Sequence, residues 1–242
     1  MKRCTSPTAA ASRPRKKQKK NKSKNRALAD PSLLYIDSPR TAPIIIQAKS
    51  FFRELSVLFE VHCGPVHGWR SIAKLAVRGC KEESGKIVKN CIGLFAPRSH
   101  DIIPCLESPV HHPSINTVAR LLESVLIEKC ITGYREDTDT GLLRYLLFAV
   151  ELSTGKVQVT FVLNCEVGDP QSLASIKSVC ESLSSSKKKR RKIHSFWAHF
   201  NPASKHNNAI TGRMDNSWLC IYGDNMLREA INLEEAVPCK SL

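Results

Sequence analysis

Two sets of cations in this chain are spaced to meet a polyanion. Residues 69–78 alternate, placing Ile72, Lys74, Ala76 and Arg78 on one side and Ser71, Ala73, Leu75 and Val77 on the other. A strand of that pattern buries the second set and presents Arg70, Lys74 and Arg78 outward, where they would touch phosphates or simply form a solvated sheet face. The second set is Lys187, Lys188, Lys189, Arg190, Arg191 and Lys192, six consecutive cations after a Ser-rich run. Their mutual repulsion predicts an exposed, mobile loop, serving as a phosphate-contacting arm, a loop expansion or a second nuclear signal. Acid–base and metal chemistry find less support. His100, His111 and His112 have no carboxylate and thiol cluster beside them, so a turn-ordering or helix-capping role is expected. Asp137 and Asp139 read as solvated loop residues. The ten cysteines stand at 4, 63, 80, 91, 105, 130, 165, 180, 220 and 239, with no short pair spacing. That excludes the usual zinc and iron–sulfur patterns, and with no secretory signal it predicts reduced thiols.

The formal charge of +15 over 242 residues is unevenly placed. Residues 1–26 hold eleven Lys or Arg and no acid, leaving 26 basic against 22 acidic residues, or +4, for the rest. Residues 1–46 therefore read as a disordered basic tail and linker, too poor in apolar surface to offset the entropy of ordering. The tail suits a nuclear or nucleolar address, or an electrostatic arm for RNA; a solvated tail on an organellar or cytoplasmic protein is the alternative. No stretch approaches the ~20 apolar residues of a membrane span.

The elements that must position these groups follow from periodicity. Phe51, Phe52, Leu55, Leu58 and Phe59 predict an amphipathic helix over residues 47–60 that docks on the core. A strand over 69–78 turns at Gly85 into a second strand over 87–95. Pro113 and Ser114 open a helix to about Cys130, with Val118, Leu121, Leu122, Val125 and Leu126 on its stripe. Residues 142–152 and 156–164, joined by Ser153-Thr154-Gly155, make the clearest hairpin, its first strand apolar enough to be covered on both faces. Pro170 and Ser172 open another helix with Leu173, Ile176, Val179, Cys180 and Leu183 inward. Strands follow over 193–201 and 218–223, then a short helix capped by Asp224 and carrying Leu227, Ala230 and Ile231. The order predicts an α+β fold, a mainly antiparallel sheet with helices packed on it, preceded by the disordered basic tail.

The segment from Gly93 to Asn116, containing Ser99-His100-Asp101-Ile102-Ile103 and Pro109-Val110-His111-His112-Pro113-Ser114-Ile115-Asn116, resembles a passage of the RNA uracil-5-methyltransferases. So do Gly68 to Gly79, Tyr134 through Gly141-Leu-Leu-Arg144, the Thr154-Gly155 turn before Val157-Gln-Val-Thr160, and Asn201, Asn208, Ile210, Gly212 and Gly223. The resemblance spans roughly Phe51 to Ile231. It implies an enzyme family acting on transfer or ribosomal RNA, in which a cysteine thiolate adds to uracil C6 and C5 takes a methyl group from S-adenosylmethionine. The domain that holds that cofactor is doubly wound α/β with a Gly-containing turn. After Glu235 this chain reads only Ala-Val-Pro-Cys-Lys-Ser-Leu, so residues 236–242 are expected to be a remnant, and Cys239 is given no nucleophile role. The family's later cluster cysteine falls at Ser108 and Cys105 is displaced, so no iron–sulfur cluster is expected.

The resemblance thus implies that residues 47–235 are the central, substrate-side domain. No catalytic, cofactor-binding or metal residue is assigned in this chain, and S-adenosylmethionine is implied for the full-length family only. The expected partner is transfer or ribosomal RNA, with a separate catalytic chain as a further partner. The chain would then be a truncated product or an incomplete gene model; the alternative is a nuclear interaction or assembly module that kept the fold.

Overall fold

The hairpin expected between residues 142 and 164 forms the middle of the sheet in the computed structural model, which describes residues 33–81, 87–202 and 217–229. Strand β4 (Leu143–Glu151) pairs antiparallel with β5 (Lys156–Leu163), Val150 lying opposite Val157. Gly155 closes the turn at φ +67, a conformation most L residues avoid. On the free edge of β4 lies β1 (Ile72–Lys81), then β2 (Ile87–Phe95) and the short β3 (Ile102–Pro104), each antiparallel to its neighbour. On the other side β6 (Ile193–Phe200) runs parallel to β5, and β7 (Trp218–Gly223) runs antiparallel to β6. The order is β3-β2-β1-β4-β5-β6-β7, an α+β fold with a mostly antiparallel sheet, as expected. The parallel pair requires a crossover, supplied by helices α3 (Pro170–Ser184) and α4 (Lys187–Arg190).

Helices α2 (Pro113–Glu128) and α3 cover one face of this sheet. Their stripes, Ile115, Val118, Leu122, Val125 and Leu126 on one and Ile176, Val179, Cys180 and Leu183 on the other, meet Leu75, Val77, Leu146, Phe148, Val159 and Phe161 from the strands. Truncating such a buried leucine costs about 2–5 kcal/mol. Both helix starts are capped by the side chain before a proline. His112 Nδ1 accepts from Ser114 N at 3.2 Å, and an Asp169 carboxylate oxygen accepts from Ser172 N at 2.8 Å. The capping role expected among the histidines is therefore borne out at His112. The opposite face of the sheet carries a smaller cluster of Ala76, Tyr145 and Val162, with Ile102 and Leu147 against it. Covering of β4 on both faces is only partial: Tyr145 is buried there, whereas Leu147 and Ala149 are half-exposed.

Several expectations are corrected. The first helix, α1, runs Pro43–Glu54, starting and ending earlier than the predicted 47–60, because Pro43 fits the first turn of a helix. None of its residues is buried, so it does not dock on the core; Phe52 instead stacks on Phe59 at 4.9 Å. Strand β3 was hidden inside what reads as a polar turn, and its three residues are too few to show alternation. Residues 224–229 form no helix; the Asp224 carboxylate accepts from Met226 N at 3.2 Å and closes a local turn. Cys91 is disulfide-bonded, against the expectation of reduced thiols, while Cys63, Cys130, Cys165, Cys180 and Cys220 are free thiols. The tail 1–30, the Gly85 turn, Asn208, Ile210, Gly212, Ala230, Ile231 and residues 236–242 lie outside the described residues. Among the described residues, no helix is long and apolar enough to cross a membrane.

Candidate nucleic-acid interface

The nine candidate cations separate between the two ends of the sheet. Strand direction decides which goes where. The starts of β1, β5 and β6 and the end of β4 lie at one end, since Ile72 pairs with Ala149, Glu151 with Lys156 and Val157 with Ile193. Arg70 enters there. Its N–H donates to Val110 O and its C=O accepts from His112 N, each at 2.9 Å, which ties it to the start of α2. Its guanidinium lies 5.1 Å from the Trp69 ring centroid, a cation–π contact that leaves the group half-exposed. Lys74 is exposed, one step along β1 on the face without helices, with Nζ 4.9 Å from the Tyr145 ring centroid. Partial burial of the ammonium lowers its pKa below the ordinary lysine value.

Arg78 does not face outward. Its residue is only 9% exposed. The guanidinium donates to Val77 O at 2.9 Å and Arg144 O at 3.1 Å, and pairs with Glu136 at 2.8 Å. The rings of Phe95, Tyr134 and Tyr145 lie 5.0, 5.3 and 5.5 Å from it. Arg144 shares two of these rings, 5.1 Å from that of Tyr134 and 6.0 Å from that of Tyr145, and donates to Asn201 O at 2.9 Å. Ala73, Leu75 and Val77 of β1 are buried as the alternation predicts, but the face carrying Ala76 and Arg78, expected to point outward, is covered at this end by the loop after α2. Gly133 permits that approach: a Cβ there would stand 2.8 Å from the Arg78 carbonyl carbon. Tyr134 is held in place by its hydroxyl donating to Asp139 at 2.7 Å, and burial pushes its pKa up to about 12. Asp139 thus organises the loop, as does Asp137, which pairs with Arg135. Beside this loop is a cleft of about 590 Å³ bordered by Arg78, His100, Asp101, Tyr134, Arg135 and Glu136. Its charges are largely matched, with Glu136 bridging Arg78 and His100.

The basic run forms a defined structure at the opposite end, with Arg70. Lys187–Arg190 make the single turn of α4, and Lys192 O accepts from Val157 N at 2.9 Å, fixing the run beside the β4–β5 turn. Lys187, Lys188, Arg190 and Arg191 are exposed, Lys189 and Lys192 half-buried. Among the described residues, none of the six pairs with a carboxylate. Lys187, Lys188, Arg191 and Lys192 border a cleft of about 710 Å³ whose other walls are Ser114, Thr117 and Thr154 with their neighbours. Sequence reasoning identified these cations but not the wall opposite them, because residues 114, 154 and 191 are brought together only by the sheet.

The chemistry available here is electrostatic. Burial raises the thiol pKa of Cys165 and pushes that of Cys180 up to about 12, so neither is poised as a thiolate. No group of three or more His, Cys, Asp or Glu among the described residues is placed to hold a metal ion.

No family model matches the chain. Sequence comparison finds an uncharacterised RNA methyltransferase of Protochlamydia amoebophila, 32% identical over 200 residues, covering 82% of this chain and 48% of the relative. An uncharacterised RNA methyltransferase of Staphylococcus epidermidis is 26% identical over 169 residues, covering 70% of this chain and 34% of the relative. Among solved structures, the tRNA (uracil-54, C5)-methyltransferase of Pyrococcus abyssi in complex with S-adenosyl-L-homocysteine aligns at TM-score 0.49 and 21% identity, covering 77% of this chain and 38% of that one. The chain spans about half the length, or less, of the relatives it matches. By these sequence matches, the chain belongs to the RNA methyltransferase family.

Proposed function

We propose that residues 47–235 act as the RNA-contacting, substrate-side part of an S-adenosylmethionine-dependent RNA uracil-5-methyltransferase, and that methyl transfer itself is carried by residues outside this set. The observation that carries the reading is the collection of Arg70 and the Lys187–Lys192 run at one end of the sheet, without carboxylate partners for the run among the described residues. Lys74 extends the positive surface onto the face without helices. Family membership supports RNA as the polyanion; transfer or ribosomal RNA, and the uridine target, rest on the motif resemblance. A separate catalytic chain is one way to complete the reaction. The basic tail, residues 1–26, suits delivery to the nucleus or nucleolus and adds non-specific affinity.

Fluorescence anisotropy with a labelled single-stranded oligoribonucleotide tests the RNA reading. Affinity should fall linearly with salt on a log–log plot, with slope about −0.7 per neutralised phosphate. A flat salt response would remove the electrostatic basis. Calorimetry with S-adenosylmethionine tests the division of labour: no stoichiometric binding is expected, and stoichiometric binding to the 242-residue chain would overturn it.

One observation favours a second reading, an assembly module. Helix α1 and its surroundings expose Ile44, Ile46, Phe51, Leu55 and Leu58, the last at 85%. An apolar group of that kind is what a protein partner would cover. Retained partner binding with no measurable RNA affinity would favour this reading over the first.

A further inference from the structure

We propose that the cleft between the start of α2, the β4–β5 turn and α4 is a phosphate seat, which on the RNA reading above holds one backbone segment of the bound strand. Four cations border it, Lys187, Lys188, Arg191 and Lys192, with the hydroxyl-bearing Ser114, Thr117 and Thr154 around the same space of about 710 Å³. Lys187 and Arg191 are one helical turn apart, so α4 puts them on one side; Arg191 N donates to Lys187 O. Among the described residues no acid lines the cleft, and the nearby Glu151 carboxylate accepts from Thr154 behind its wall.

The sign of the charge is the argument. The positive end of the α2 dipole, at Pro113 and Ser114, is a place where carboxylates stabilise a helix and cations do not. This helix has no acid in its first turn, and the fold brings four cations to that end instead. A purely structural arrangement would gain from one Asp or Glu there. The present one leaves like charges together until an anion enters; Thr117 already donates to Pro113 O and Thr154 to the Glu151 carboxylate, so phosphate is met by the four cations and the Ser114 hydroxyl. The helix end itself is already capped by His112, so the cations and the Ser114 hydroxyl carry the contact and the dipole only adds to it. Gly155 keeps the seat open: Ser114 Oγ lies 3.6 Å from where its Cβ would stand, so a longer side chain would enter the cleft.

The same chemistry could be met by an RNA backbone or by a free polyphosphate, and two probes separate them. A labelled 12-nucleotide oligoribonucleotide and inorganic tripolyphosphate are titrated against the full chain and three variants. The first is Lys187→Gln, Lys188→Gln, Arg191→Gln and Lys192→Gln together. The second removes the same charge from the tail, at Lys16, Lys17, Lys19 and Lys20. The third is Ser114→Asp, which sets a carboxylate in the seat while suiting the first turn of α2, so the fold is kept.

The cleft variant should bind RNA about 10-fold or more weakly, its salt slope smaller by about 3 for four lost contacts. It should also lose tripolyphosphate, as should Ser114→Asp, and the tail variant should keep it. Loss of tripolyphosphate with RNA affinity unchanged supports the seat, assigns it to a free polyphosphate, and counts against its role in RNA contact. Tripolyphosphate bound equally by all four proteins, or by none, overturns the seat and leaves the RNA reading to its own salt titration.

Discussion

At the scale of residues, Arg78 carries the sharpest distinction between a cation that contacts solvent and one that holds the fold. It donates to two backbone carbonyls, pairs with Glu136 and lies among three rings. Arg78→Leu should destabilise the protein by about 3 kcal/mol, the low end for a broken buried pair, because Glu136 remains partly hydrated. Urea unfolding measures it. Arg78→Lys should recover little of the loss, since an ammonium cannot reproduce the forked contacts. RNA affinity of the folded Arg78→Leu protein should match wild type, and a drop as large as that from Lys74→Gln would place Arg78 at the surface after all. A second residue sets a pH dependence. The cap bonds to Ser172 hold the Asp169 carboxyl below its ordinary value of 3.8. Its stabilisation is then fully present above that value and is lost as pH falls through the depressed folded pKa. Asp169→Ala should lower the thermal midpoint at neutral pH, and the gap to wild type should close on acidification below 3.8.

At the scale of elements, what the sequence makes legible follows from how locally each signal is written. The 3.6 period of Val118, Leu122, Val125 and Leu126 and the alternation around Gly155 are complete within one element, and α2 and the β4–β5 hairpin stand where expected. The exposure of Phe51 and Leu55 is not written in α1, whose apolar stripe is the same whether or not a partner covers it. The burial of Arg78 depends on Tyr134, fifty-six residues away, reached through the α2 crossing. Strand β3 depends on Gly93, where a Cβ would stand within 1.9 Å of Ile103 O, so the short strand pairs only because that side chain is absent. Gly93→Ala should cost about 1–3 kcal/mol as overpacking. Amide exchange should show the protection of Ile103 and Cys105 lost while that of β4 and β5 is kept; unchanged protection at Cys105, whose N–H bonds Ile92 O, would mean that the strands shift to accept the methyl group.

At the scale of the whole molecule, the charge is polar along the sheet and heavier still in the tail. One end carries Arg70 and the Lys187–Lys192 run, and the other carries arginines already matched by Glu136, carbonyls and rings. Removing residues 1–26 takes away eleven cations and brings the net charge from +15 to +4, so the long-range attraction to RNA should fall sharply. What remains should still be directional. The shortened chain should bind oligoribonucleotide more weakly and with a shallower salt slope, yet bind tripolyphosphate as the full chain does, because that contact belongs to the fold. Anisotropy across about 50–200 mM salt separates the two contributions, the range over which counterion release changes affinity most visibly. Unchanged RNA affinity after the deletion would show that the tail takes no part in binding and serves only as an address, leaving the sheet's basic end as the whole of the RNA surface.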